Sequence, residues 1–388
     1  MRHVALHNQR LARRQAHLVD RPRSAGGGEG RPLRIAMVAP PWIPVPPPAY
    51  GGIEAVVDLL VRALEERGHR VTLFAPPGSR ARRLISPLGE AHPDKIGSAL
   101  YEADHVARTF AAIEAADPPF DVVHDHSGFT AVAMADRLPL PVVHTLHGPL
   151  DGELAEFYAV HGNKVVPVAI SHAQLESAKV LLERAAVVHN PIDLDGWPFR
   201  ERKEDYLLFI GRMDPVKGAD RAIAAAQASG SKLIIAGPVQ PGQEEYFNVR
   251  VRPHIDGERI RYVGEVGGVV KQELFARARA LLMPIRWQEP FGMVMVEALA
   301  TGTPVIAFPE GAASEIVIDG ENGFLVADER EMAQAVTRLG RLDPRRCRQS
   351  VRRFSAAEAA RRYEQVYREA IALPPRRIEA VRPTAVRA

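Results

Sequence analysis

Cys347 is the only cysteine among 388 residues. A lone thiol closes no internal disulfide and builds no thiolate metal site, so the chain is read as belonging to a reducing compartment, the cytoplasm. Long apolar runs are also missing. The longest are short, such as Ala280 to Ile285, well below the length that crosses a bilayer. The first thirty residues lack the apolar centre of a secretion signal and run into Gly26-Gly27-Gly28, so residues 1–30 read as a disordered basic tail. Aromatic residues make up only 6% and do not interleave with the basic runs, which argues against a nucleic-acid partner.

Charge is unevenly placed. The whole chain is +3, but residues 1–30 carry +4 and residues 341–388 carry +8, leaving 31–340 at −9. The basic ends are read first as a solvated helix face and disordered tails. Peripheral contact with anionic lipid at the inner membrane face is the other reading.

What is present is alternation. Arg34 to Ala39 reads as a strand, followed by a proline-rich loop, Pro40 to Tyr50. A helix then carries Ile53, Val56, Val57, Leu60, Val61 and Leu64 on one stripe. Val71 to Phe74 is the next strand, and such β-α-β units give parallel sheets covered by helices. Val122-Val123, Val142-Val143, Val165 to Ile170 and Val187-Val188 continue the series. A second series opens at Tyr206 to Ile210 and continues through Lys232 to Ala236, Ile260 to Val263, Ala280 to Pro284 and Pro304 to Phe308. The expectation is therefore α/β, with two doubly wound domains meeting across a cleft at their strand ends. The domains are drawn at 31–195 and 196–354, with the boundary in the Pro- and Gly-containing stretch Pro191 to Arg202. A final helix follows over 355–373 and a disordered tail over 374–388. Ser355 and Glu358 form a capping-box pattern, and Phe354 is placed to staple the helix entry.

Several residues at strand ends carry chemistry. Gly211-Arg212 follows a strand, and Lys217-Gly218 heads the next helix. Two cations around a glycine turn at a helix N-terminus suit a diphosphate, although the same pattern can merely solvate a turn. Glu289 and Glu297 flank Pro290-Phe291-Gly292-Met293-Val294, where carboxylates could accept bonds from sugar hydroxyls. In isolation, paired glutamates make a charged helix face.

These motifs, with Thr303-Pro304-Val305, Gly311 to Glu315 and Asn322 to Val326, resemble the family 4 retaining glycosyltransferases of GT-B architecture. Gly51-Gly52-Ile53-Glu54 is similar to that family's glycine loop, and His144 to Gly148 to its histidine loop. The likeness spans roughly residues 34 to 370. It implies two Rossmann-like domains, with the last helix packing back on the first. It also implies a role for each matching position. Arg212 and Lys217 grip the donor diphosphate, and Glu289 holds hydroxyls of the transferred sugar. Glu297 binds the donor ribose. Gly51 and Gly52 bring amides to the diphosphate from the other domain, while Gly211, Phe291, Gly292, Met293 and Val294 line the donor side. His147 lies beside the reacting sugar, Glu265 and Val266 meet the nucleobase, and Ser171 lines the cleft. Two departures from the family pattern, Ala312-Ala313 before Ser314 and Pro238 after Gly237, bear on fine donor contacts.

The implied reaction is metal-independent hexosyl transfer with retention, using no cofactor. The donor is a nucleotide diphosphate sugar, UDP favoured by family prevalence. The acceptor is a glycan, a lipid-linked glycan or a small molecule. A nucleotide-sugar 2-epimerase and a non-catalytic nucleotide-sugar binder are the alternatives. Two distractors remain. His124-Asp125-His126 puts two histidines on one strand face but shows no third metal ligand, so it is read as lining the cleft near the acceptor. Asp193-Leu194-Asp195 spells a metal-binding D-x-D but sits in the linker.

Overall fold

The computed structural model describes residues 30–48, 51–178 and 180–373. Of the tails read at 1–30 and 374–388, all but Gly30 lies outside them, as does the loop end at Ala49 and Tyr50.

Two parallel sheets form the frame. The first holds β1 (Arg34–Val38), β2 (Arg70–Phe74), β3 (Leu84–Ile85), β4 (Val122–Asp125), β5 (Val142–Leu146), β6 (Val166–Ala169) and β7 (Ala186–Val187), in the order β3-β2-β1-β4-β5-β6-β7. The second holds β8 (Leu207–Ile210), β9 (Leu233–Ala236), β10 (Ile260–Tyr262), β11 (Ala280–Met283), β12 (Val305–Ala307) and β13 (Gly323–Leu325), in the order β10-β9-β8-β11-β12-β13. In each sheet the strand order reverses beside the first strand, at β1/β4 and at β8/β11. Crossovers leave in opposite directions there and open a crevice. The central strands are buried on both faces, so they read as near-continuous apolar runs.

Helix α1 (Gly52–Glu66) covers the first sheet with the stripe expected for it. Val56, Val57, Leu60, Val61 and Leu64 are all buried, each worth about 1.5–3 kcal/mol if fully removed from water. Helices α2 (Ala99–Glu114), α3 (Gly152–His161) and α4 (His172–Ser177) also belong to the first half, with a short helical segment at Phe129–Met134. The second half carries α5 (Ala219–Ala228), α6 (Gly268–Arg277), α7 (Met293–Ala300) and α8 (Glu329–Arg338). The last helix, α9 (Ala356–Ala372), crosses back as expected. Its Ala359, Ala360, Tyr363, Val366, Tyr367 and Ala370 join the core of Val57, Leu60 and Leu64 in the first half. No helix among the described residues is long and apolar enough to cross a membrane.

Three local expectations change. Strands β3 and β13 are additional, and at two and three residues they are too short to show a period. The capping box is half made. Ser355 Oγ accepts from Glu358 N at 3.3 Å, but the Glu358 carboxylate turns to Arg361 and Arg362. Phe354 packs edge-on against Phe291, with ring centroids 5.6 Å apart, and so stitches the crossover to the second half.

Candidate active site

The second sheet delivers its charges at β8 and β11. Lys217 precedes the left-handed turn that opens α5. Its ammonium lies 2.5 Å from Glu289 Oε2, and the Trp287 indole N–H donates to the same oxygen at 2.9 Å. The ammonium also sits 4.5 Å from the centre of the Trp287 ring. Two residues expected to hold different parts of a ligand thus meet each other, and both are mostly buried. Pairing is what a half-buried cation and anion require when nothing else neutralises them. Arg212 differs. It reaches Gln240 Oε1 at 3.2 Å and makes no ion pair among the described residues. It follows Gly211, at the tip of β8, as the cation left over for an anion.

The loop carrying Glu289 is held by backbone. Ala312 N donates to Glu289 O at 3.0 Å. Gly311 has φ 56°, and a side chain there would lie 2.4 Å from Glu289 N and O, so the close approach needs glycine. The expected loop Gly311-Ala312 therefore acts as a backrest for Glu289. Gly292 is the left-handed N-cap of α7 at φ 87°, and a Cβ there would strike Met295. It turns the chain so that Met293 and Val294 supply first-turn amides, which have no carbonyl one turn back. The Phe291 ring is 2% exposed and packs on Phe354 and His189. Its expected place on the donor side is corrected to core packing; only its backbone is left to meet a ligand.

Glu297 lies one turn into α7. Lys271 of α6 donates to its Oε1 at 2.7 Å, while its Oε2 is buried without a partner among the described residues. An unpaired buried carboxylate oxygen is costly and waits for a donor. The sequence reading missed Lys271, whose signal was one cation on a helix face. Glu265 is exposed and Val266 half-buried, in the loop after β10 whose Gly264 carbonyl accepts from Gly237 N at 2.7 Å.

The first half is chemically different. His147 follows β5, and its Nε2 lies 2.8 Å from His126 Nδ1. Burial, with His144 alongside, pushes His147 down to about 3; burial and the other imidazoles push His126 down as well. Two neutral rings thus share one N–H donor. His126 Nε2, buried, has no partner among the described residues. Asp125 holds the layer behind. Its Oδ1 accepts the Ser127 hydroxyl at 2.6 Å and its Oδ2 meets His144 Nδ1 at 2.6 Å. His124 sits between Thr145 Oγ1 at 2.8 Å and Tyr367 of α9 at 2.6 Å. The His124-Asp125-His126 stretch therefore joins a hydrogen-bonded network with the histidine loop: His124 meets Thr145, Asp125 meets His144, and of the three only His126 reaches His147. Gly51 is buried and Gly52 exposed, at the start of α1, with nothing within 4 Å of a Cβ built on Gly52. Glu54, one turn in, is 4% exposed, and burial raises its carboxyl to about 7.

Ser171 is fully buried. Its hydroxyl accepts from Gln174 N at 2.9 Å as the N-cap of α4, and Gln174 holds the carbonyls of Leu146 and Gly148. The expected cleft-lining role is corrected: Ser171 supports the histidine loop from behind.

The pattern described as "Glycosyl transferases group 1" matches residues 197–353, and that described as "Glycosyltransferase Family 4" matches 50–196. Among solved structures, AviGT4, a glycosyltransferase involved in avilamycin A biosynthesis, is 30% identical with TM-score 0.68, covering 88% of this chain and 98% of its own. Glycogen synthase of Mycobacterium tuberculosis is 28% identical over 359 residues, 78% of this chain and 85% of its own. Anabaena HepE, solved in complex with UDP-glucose, has the same fold at TM-score 0.64 and 19% identity, covering 87% of this chain and 100% of its own.

Proposed function

The chain belongs to family 4 of the glycosyltransferases, with two Rossmann-like domains in the GT-B arrangement, and from that premise we propose a metal-independent hexosyltransferase that retains anomeric configuration and draws on a UDP-sugar. The observation that carries this reading is the pair of cations that follow β8, Arg212 and Lys217, with Glu289 brought onto Lys217 from the loop after β11. Among the described residues, Arg212 stands without an acid and Lys217 is held by Glu289 alone among acids.

A diphosphate entering there takes Lys217 and Arg212 as its counter-charge. Glu289, released from the ammonium, is then free to accept hydroxyls of the sugar. Preorganised charge of this kind is worth about a hundred- to a thousandfold per group, and two cations of the chain can supply the neutralisation that a divalent ion gives elsewhere. Glu297 Oε2 accepts from the ribose hydroxyls, and the Met293 and Val294 amides face the phosphates. The bond from the anomeric carbon to the phosphate oxygen breaks, and a bond to the acceptor oxygen forms on the same face. The acceptor proton passes to the departing diphosphate. His147, kept neutral, accepts or donates a hydrogen bond to the sugar without adding charge. The acceptor, a glycan, a lipid-linked glycan or a small molecule, meets the first half. The UDP assignment draws support from HepE, which is solved with UDP-glucose.

The test is donor turnover with EDTA present throughout, across UDP-, GDP- and ADP-sugars, with product anomers read by NMR. Retained configuration from a UDP-sugar in EDTA is the expected result. Activity that depends on added metal, or an inverted product, overturns the corresponding part.

A further inference from the structure

A second cluster, which shares no residue with the Arg212, Lys217 and Glu289 set, sits at the seam between the halves. Glu315 belongs to the second half. Its carboxylate reaches the start of α4, accepting from His172 N at 3.0 Å and Ala173 N at 2.7 Å. His189, which follows β7, places its Nε2 2.9 Å from Glu315 Oε2. The rings of His172 and His189 stand edge to face, 5.9 Å apart. One donor atom from each of His172, His189 and Glu315 lies within 4.8 Å of the others, and all three residues are half-buried.

We propose that His172, His189 and Glu315 form a binding site for a divalent transition metal, zinc foremost, that bridges the two halves of the protein. The donor set is two imidazoles and a carboxylate, which suits zinc and its neighbours and not magnesium. Donors around a tetrahedral zinc stand about 3.4 Å apart, given bond lengths of about 2.0–2.2 Å. The His189–Glu315 separation of 2.9 Å opens by about half an ångström to reach that spacing, and a ring movement of His172 brings in the third donor. That movement costs little, because the His172 ring makes no hydrogen bond among the described residues. Glu315 has capacity to spare, since a carboxylate offers about four lone-pair sites. Metal binding at His189 Nε2 requires that nitrogen to be unprotonated, so the bond it shares with Glu315 is replaced by two bonds to the ion. The fourth position is left to water.

Arg353 opposes the ion. Its guanidinium donates to the Glu315 backbone carbonyl, close to the site. This weakens the site relative to closed structural zinc sites, which carry four protein ligands and no opposing cation. The position gives the site its consequence. His189 also packs against Phe291 and Phe354, at the joint between the loop bearing Glu289 and the crossover helix. An ion tying Glu315 to both histidines pins that joint. Catalytic turnover that needs the cleft to open and close is slowed.

The experiment uses the full chain and zinc chloride, titrated in competition with a colorimetric chelator. One zinc per chain is expected, with His172→Ala and His189→Ala each weakening it at least tenfold. In EDTA, His172→Ala keeps wild-type turnover; with zinc added, wild type is inhibited and the variant is not. Equal zinc affinity in wild type and His172→Ala overturns the site, as does no stoichiometric binding below about 100 µM. Loss of zinc in His147→Ala with retention in His172→Ala places the ion on the buried histidine pair and also overturns it. Because binding is read directly, failure here is separate from failure of the donor assignment.

Discussion

The two cleft-facing sets of residues do different chemistry with different means. The second half arms its strand ends with charge: Arg212, the Lys217–Glu289 pair and the Lys271–Glu297 pair. The first half uses neutral rings, His126 and His147, backed by Asp125, His144 and Thr145. The comparison teaches that ionic groups gather at the strand ends of the second half, where the proposed reaction has its anionic leaving group. The paired rings His126 and His147 of the first half are kept neutral by burial, which under the same proposal leaves an approaching hydroxyl free of an ion pair.

Replacing Lys217 by Ala breaks the charged side most severely. kcat/KM should fall about a thousandfold with the melting temperature nearly kept, read by steady-state kinetics and thermal unfolding. Near-normal turnover would remove the diphosphate from this wall.

Glu54 is the exception on the neutral side, and it sharpens the contrast through stability. Its folded carboxyl, raised to about 7 by burial, binds a proton more tightly than in the unfolded chain. Stability from this group is therefore complete below the ordinary 4.5 and declines as pH rises from there to about 7. Glu54→Gln should be more stable than wild type by about 2 kcal/mol at pH 8 and no different at pH 4.5. Equal pH–stability curves would show that Glu54 is hydrated when ionised.

His126→Ala tests whether the neutral wall acts through its pairing. kcat should drop about tenfold, with nucleotide affinity unchanged and partial recovery in His126→Asn. A change in nucleotide affinity instead would erase the division of labour. The smallest effect belongs to Tyr367→Phe, which removes the bond to His124. About 1 kcal/mol of stability should go while nucleotide binding stays, as chemical denaturation and calorimetry would report.

The position of much of the candidate site was legible in advance because strand ends and glycine turns are local features. Arg212, Lys217, Glu289 and Glu297 stand where the alternation placed them. Phe291 and Ser171 were not legible in the same way. An aromatic in a glycine loop and a serine after a strand look alike whether they face ligand or core. Phe354 and Gln174, distant in sequence or hidden behind a loop, decided which way they point. Lys271 carried no signal beyond its charge.

By itself the sequence determined the periodic part: two β-α-β series, the buried stripe of α1 and the placing of cations after β8. Those follow from residue patterns within a few turns, where burial is decided by spacing. Only the tertiary structure decided partnership. It brought Lys217 onto Glu289, left Arg212 without an acid among the described residues, set Tyr367 on His124 and closed Glu315 upon His189. Each partnership joins segments far apart in the chain, and a charge or ring in a half-buried place takes whatever group packing brings within reach.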